Sequence, residues 1–256
     1  MSYKTVQLAF DCGLATLTLN RPDKRNAISY ELIGDLIKAL EEVTNSDARV
    51  LVLTGAGKAF SSGMDLDNLK TLIGRTREQN LEDSRTMVTL FRSLYEFPKP
   101  TIAAVNGAAV AGGCILACAC DRRLMAQGAR IGASELVVGV PFPVAALEIM
   151  RHACGARAED IVFSGRLLEA PEAMALGVVH EVHPGEALLA RAVTVAAELG
   201  GRAALPYRLA KEQLRGPART RMRDATAVDD IAIGEWAAPH TAQRLRRQLD
   251  SLSARR

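Results

Sequence analysis

Ile102-Ala103-Ala104-Val105-Asn106-Gly107-Ala108-Ala109-Val110-Ala111-Gly112-Gly113-Cys114 is the stretch on which the fold turns. It lies inside Thr101–Cys120, twenty residues without a charge, nominally enough to span a bilayer. Its content argues otherwise. The run is mostly Ala and Gly, and Asn106-Gly107 marks a turn within it. A buried strand over Ile102–Val105, a turn, and a small-residue helix over Ala111–Ala119 fit better, so the chain reads as soluble, with no membrane partner.

Outward from this stretch, strands and helices alternate. Val6–Phe10 and Ala15–Asn20 are predicted strands around the turn Asp11-Cys12-Gly13. Ser29 caps a predicted helix to about Thr44, with Leu32, Ile33, Leu36, Ile37, Leu40 and Val43 as its apolar stripe. Val50–Leu53 is a short apolar run typical of a buried parallel strand, followed by a loop from Gly55 to Met64. A helix over Glu82–Phe97 stops at Pro98-Lys99-Pro100, and another strand lies near Arg122–Ala126. This order predicts an α/β core with parallel strands. Helices are expected at Val144–Ala153, Ala156–Ser164, Pro171–Leu176, Glu186–Leu199, Leu205–Leu214, Arg221–Trp236 and Thr241–Ser251. The division falls near residue 200: a core over 1–200 and a helical C-terminal region over 201–256.

The 256 residues are ordinary globular stock, 48% hydrophobic and 24% charged. That excludes disorder, and a net charge of +3 with 4% aromatic residues gives no support to nucleic-acid binding. The charge is uneven: residues 201–256 hold twelve Lys/Arg against six Asp/Glu. Such a region either forms a solvated surface or meets an anionic ligand. Cys12, Cys114, Cys118, Cys120 and Cys154 are an odd set without paired C-x-x-C spacing, and no secretory segment follows Met1. They read as reduced cytoplasmic thiols, mostly small buried hydrophobes, with no metal expected. His180 and His183 read as a surface pair beside a turn.

Several motifs fail. Thr54-Gly55-Ala56-Gly57-Lys58-Ala59 lacks both the first Gly and the Ser or Thr of a phosphate loop, and the dinucleotide fingerprint and G-x-S-x-G elbow are missing. Two loops remain: Ala59-Phe60-Ser61-Ser62-Gly63-Met64-Asp65, and the Asn106–Cys114 segment. Each follows a strand and leads into a helix, where backbone N–H groups lack helical partners and the dipole is positive. Two such donors converging would form an oxyanion hole. The same glycines also suit tight helix–strand packing.

Together with Asn20-Arg21-Pro22, Asn26-Ala27, Lys99-Pro100, Asp121, Glu135, Gly139, Gly165 and Ala175-Leu176-Gly177-Val178-Val179, these loops make the chain resemble the crotonase (enoyl-CoA hydratase/isomerase) superfamily over residues 5–215. The resemblance implies an α/β spiral of βαβ turns with a helical C-terminal trimerisation region, giving a homotrimer or hexamer. It implies an acyl-CoA thioester as substrate, coenzyme A being part of that substrate and no separate cofactor being needed. By matched position, the N–H groups of Ser62 and Gly112 form the oxyanion hole and Glu135 is the catalytic base. Ser61, Gly63, Met64, Asp65 and Leu66 line the CoA path, with Ser134 beside the base. Arg25 and Ala27 approach the nucleotide end.

Hydratases of the family use two glutamates, and Ile115 stands where the first would be. A single carboxylate suits Δ3,Δ2-enoyl-CoA isomerisation, in which one base moves a proton from C2 to C4. Hydration and non-catalytic acyl-CoA binding are the alternatives. Phe142 either narrows the acyl pocket or packs in the core.

Overall fold

The computed structural model describes residues 3–72, 75–236, 238, 240, 241, 243, 244, 246 and 247. The chain opens with strands β1 (Val6–Asp11) and β2 (Leu14–Leu19), then helix α1 (Tyr30–Thr44). Strands β3 (Val50–Gly55) and β4 (Ala59–Ser61) lead into helices α2 (Leu66–Leu72) and α3 (Arg77–Tyr95). Next come β5 (Thr101–Val105), β6 (Ala108–Val110), α4 (Gly112–Ala119), β7 (Arg122–Ala126) and β8 (Arg130–Gly132). A 3₁₀ turn over Glu135–Val138 precedes α5 (Val144–Cys154), α6 (Ala158–Ser164), β9 (Leu168–Glu169), α7 (Ala170–Ala175) and β10 (Glu181–His183). Helices α8 (Gly185–Gly200), α9 (Ala204–Asp224) and α10 (Thr226–Trp236) follow.

Two sheets result. The larger runs β1-β2-β3-β5-β7-β10, parallel except for the β1–β2 pair, in register through Leu51↔Thr101 and Ala104↔Leu124. Its central strands β3 and β5 are buried at every position, as a parallel sheet covered on both faces requires. The smaller sheet runs β4-β6-β8-β9. The pairs β3/β4, β5/β6 and β7/β8 therefore each contribute one strand to each sheet, and the two glycine-bearing loops leave the smaller sheet from β4 and β6.

Local chemistry explains the anchors. Ser29 Oγ accepts the Leu32 N–H at 3.2 Å, and the stripe below it, Leu32, Ile33, Leu36, Leu40 and Val43, is buried in the core. Each such side chain contributes about 1.5–3 kcal/mol of burial. Helix α3 begins earlier than the sequence pattern predicts, because Thr76 and Gln79 form a reciprocal capping box. The uncharged run Thr101–Cys120 is β5, β6 and α4, and among the described residues no helix is long and apolar enough to cross a membrane. Phe142 is 7% exposed and belongs to the core. Cys114, Cys118, Cys120 and Cys154 are buried, and Cys12 is exposed. His180 and His183 help zip β10 to β7, with His180 Nδ1 accepting the Arg123 N–H at 3.0 Å.

Two helix expectations change. Leu205–Leu214 and the start of Arg221–Trp236 are one helix, α9, broken from α10 at Ala225. It continues through Pro217, normally a helix breaker, because Arg215, Ala218 and Met222 on either side are held in the core. The expected helix over Thr241–Ser251 lies partly outside the described residues.

The fastening of α9 is ionic. Asp121 takes Lys211 Nζ at 2.8 Å on one oxygen and Arg215 Nη2 at 2.6 Å on the other. Arg215 also lies over the Tyr95 ring, 4.3 Å from its centre. Burial disfavours the charge on Asp121, but the two cations outweigh it and hold the carboxyl below its usual range. Burial pushes Lys211 down to about 8 against that same attraction. Asp121→Asn strands two buried cations and is expected to cost about 3–5 kcal/mol, as breaking a buried ion pair does. Urea unfolding of the variant measures this; an unchanged midpoint would refute the role given to Asp121.

Candidate active site

The two glycine-bearing loops meet edge to edge. Gly63 adopts φ +82°, and a Cβ there would sit 2.8 Å from the Val110 carbonyl oxygen and 3.6 Å from the Gly112 nitrogen. Only glycine permits both the conformation and the approach. Gly113 is equally constrained, since a Cβ would lie 2.5 Å from the Ser61 carbonyl oxygen. Two asparagines brace the loops. Asn26 Nδ2 donates to Ala56 O and Ala59 O at 2.9 and 2.8 Å, and Asn106 Nδ2 donates to Gly55 O at 2.8 Å. Arg21 Nη1 donates to Ala27 O at 2.6 Å and to Asp65 Oδ2 at 2.7 Å, tying the Asn20–Ala27 segment to the first loop.

Two N–H groups face the opening these loops leave. Gly112 is the first residue of α4, where backbone donors have no helical acceptor. Ala111 before it takes φ 51°, ψ −123°, a backbone region unfavourable for a residue with a Cβ. The second donor differs from the one expected. Ser62 donates its N–H to Arg25 O at 3.0 Å and has none to offer a ligand. The N–H that faces the cavity from this loop is that of Met64. A parallel bridge to Ile28 engages Gly63 O and Asp65 N, so the Met64 N–H between them points to the opposite side.

Beneath these donors lies a cavity of about 610 Å³. Of the residues assigned to it from sequence, Arg25, Ala27, Ser62, Met64, Asp65, Leu66, Gly112, Ser134 and Glu135 line it. Ser61 and Gly63 do not; Ser61 is fully buried with its Oγ donating to Asn26 O at 2.8 Å. Ile115 is fully buried inside α4 and does not reach the lining. The apolar wall comes from Met87 and Phe91 of α3, Val110, Val138, Val140 and Ala146. Lys24, Arg25 and Lys70 stand together on the lining as its cationic part.

Five acids stand on the lining, and Asp23 among them is exposed to solvent. Asp65 is paired with Arg21, Asp67 with Lys70, and Asp83 with Arg75 and the Tyr30 hydroxyl. Glu135 is different. It opens the 3₁₀ turn, its carbonyl accepts the Val140 N–H at 3.0 Å, and its Oε2 is buried without a hydrogen-bond partner. Burial pushes its pKa up to about 7, only partly offset by its own backbone N–H. The sequence also gave no sign of the cavity-facing Tyr30 and Asp83, because both depend on the packing of α1 against α3.

Paired parallel sheets with a cavity above the N-terminus of a buried helix define the crotonase class of α/β fold. The chain belongs to the enoyl-CoA hydratase/isomerase family, whose profile matches residues 9–241. A Thermus thermophilus relative, provisionally named an enoyl-CoA hydratase, is 40% identical over 202 residues, 78% of this chain and 80% of its own. The Escherichia coli 2,3-dehydroadipyl-CoA hydratase is 34% identical over 201 residues, 78% of this chain and 77% of its own. Among solved structures, human mitochondrial Δ3-Δ2-enoyl-CoA isomerase superposes with a TM-score of 0.92 at 25% identity, covering 99% of this chain and 100% of that one.

The raised Glu135 pKa has a stability consequence. Below about pH 4.5 both folded and unfolded chains hold the proton, and burial costs nothing. As pH rises the unfolded chain releases it first, so stability falls until the folded group ionises near 7. Above that, the penalty reaches roughly 3 kcal/mol at about 1.4 kcal/mol per pKa unit. Glu135→Gln is therefore expected to be more stable than wild type at pH 8 and equal to it at pH 4. Chemical unfolding at the two pH values measures the gap, and a gap independent of pH would contradict the burial argument.

Proposed function

We propose that this protein is a Δ3,Δ2-enoyl-CoA isomerase with Glu135 as its single acid–base residue. The observation that carries the reading is the buried Glu135 Oε2 without a hydrogen-bond partner, on a lining where Asp65, Asp67 and Asp83 are ion-paired and Asp23 is exposed to solvent. The N–H groups of Met64 and Gly112 receive the thioester oxygen. Removing the C2 proton places negative charge on that oxygen, and fixed backbone donors stabilise it by about 2.7–4 kcal/mol each. Glu135, protonated by the first step, returns the proton at C4. A pKa near 7 suits both halves of this exchange. No water need be activated, in keeping with Ile115 at the position of the hydratases' other glutamate and with apolar Met87, Phe91, Val110 and Val140 on the lining.

Lys24, Arg25 and Lys70 are the side chains we assign to the CoA phosphates. We assign oligomerisation to the C-terminal helices from residue 201 onward, supported by the exposed Leu205, Leu209 and Leu214 of α9. Hydration is the second reading, favoured by the names of the two relatives above.

Wild type is expected to convert a 3-enoyl-CoA to the trans-2-enoyl-CoA, with kcat/KM rising through an apparent pKa near 7 as Glu135 ionises. Glu135→Gln should lower turnover at least 10²–10⁴-fold, roughly the worth of a general base. A coupled spectrophotometric assay, with trans-2-enoyl-CoA hydration run alongside, decides between the readings. Hydration without isomerisation would replace the first by the second.

A further inference from the structure

Helix α10 lies outside the cavity wall and is fastened to both sides of it. On one side it meets α3. The Asp230 carbonyl accepts Arg77 Nη2 at 3.2 Å, and its carboxylate faces Arg85 Nη2 at 4.0 Å. Gly234 allows the close approach, since a Cβ there would sit 3.3 Å from Arg77 Nε. On the other side Asp229 Oδ1 accepts the Val144 N–H at 2.6 Å, a link across 85 positions of sequence.

That second link falls where the wall is least able to hold itself. Between Glu135 and α5 runs Val140-Pro141-Phe142-Pro143, of which Val140, Pro141 and Pro143 line the cavity. The two prolines have no N–H to anchor their backbone. The segment is pinned at its start by the Val140 N–H on Glu135 O. Its end is Val144, a first-turn residue whose N–H has no helical acceptor and whose N-cap, Pro143, offers no side-chain oxygen. Asp229 supplies that acceptor. Farther along the chain, Arg244 packs on Gly139, the residue just before this segment, its Cδ 2.8 Å from where a Gly139 Cβ would be.

We propose that Asp229 is a positioning residue. Through Val144 it sets where the Val140–Pro143 wall stands opposite Met87 and Phe91, and so which acyl groups fit beside Glu135. The inference rests on the acyl-CoA reading of the cavity but not on isomerisation.

The test compares wild type, Asp229→Ala, Asp229→Asn and Asp229→Glu by calorimetric titration with butyryl-CoA and decanoyl-CoA, neither of which can isomerise. The readout is the ratio of the two affinities. Asp229→Ala is expected to shift it about tenfold, roughly the upper worth of one ordinary hydrogen bond. Asp229→Asn keeps the oxygen acceptor and should leave the ratio at the wild-type value. Asp229→Glu keeps the charge but displaces the acceptor, so it should shift the ratio even if the alanine variant does not fold. An unchanged ratio in Asp229→Glu, or an equal shift in Asp229→Asn and Asp229→Ala, overturns the proposal. Wild type that binds acyl-CoA but does not isomerise a 3-enoyl-CoA overturns only the isomerase reading. Wild type that binds no acyl-CoA overturns both.

Discussion

A backbone N–H can be kept for a ligand only if the chain makes no use of it, and this fold arranges for two such groups at one place. The arrangement depends on the absence of a Cβ at Gly63. With the first loop pressed against Val110 and Gly112, the Met64 and Gly112 N–H groups follow neighbouring strands of the smaller sheet, β4 and β6, and open onto one cavity. Asn26 and Asn106 saturate the neighbouring carbonyls, so the loops are rigid without spending those two donors on themselves. The spiral of strands brings the loops together; the glycine lets them touch.

The same economy governs the carboxylate. An acid that is fully hydrogen-bonded is stable and chemically idle, as Asp65 is beside Arg21. Glu135 is left without that support, and its proton affinity rises in consequence. The molecule thereby gives up some stability above neutral pH to keep this carboxylate buried. The core is ample enough to absorb this, with two fully buried central strands and a continuous apolar cluster reaching α1, α3, α4 and α5.

The long elements were legible in sequence because their periodicity is strong. The Leu32–Val43 stripe and the Val50–Leu53 run need no structure to be recognised. The second sheet was not. Ala59–Ser61, Ala108–Val110 and Arg130–Gly132 are three residues each, too short and too small for an alternating pattern to register. Family motifs picked out Glu135 and Gly112, which lie on the cavity lining, but the Ser62 N–H they also picked out is already bonded to Arg25 O, while that of Met64 two positions on faces the cavity. Ser62 and Met64 share a parity along the loop. Only the bond from Ser62 to Arg25 and the bridge at Ile28 distinguish them, and both involve a partner some 35 residues earlier. The joining of α9 across Pro217 was hidden for a similar reason, because the contacts that override the proline come from Asp121 and Tyr95.

Those contacts have a temporal meaning. Asp121 sits at the mouth of β7 in the middle of the chain, whereas Lys211 and Arg215 arrive 90 and 94 residues later. During synthesis the sheet can assemble around β3, β5 and β7 while Asp121 still faces water. Each loop closed between parallel strands is long and slow to form. The carboxylate is sealed only when α9 leaves the ribosome and lays its two cations over it. The last quarter of the polypeptide thus acts as the closing step of folding, and a nascent chain stalled before residue 211 would expose the apolar face of α5 that α9 covers, which invites aggregation.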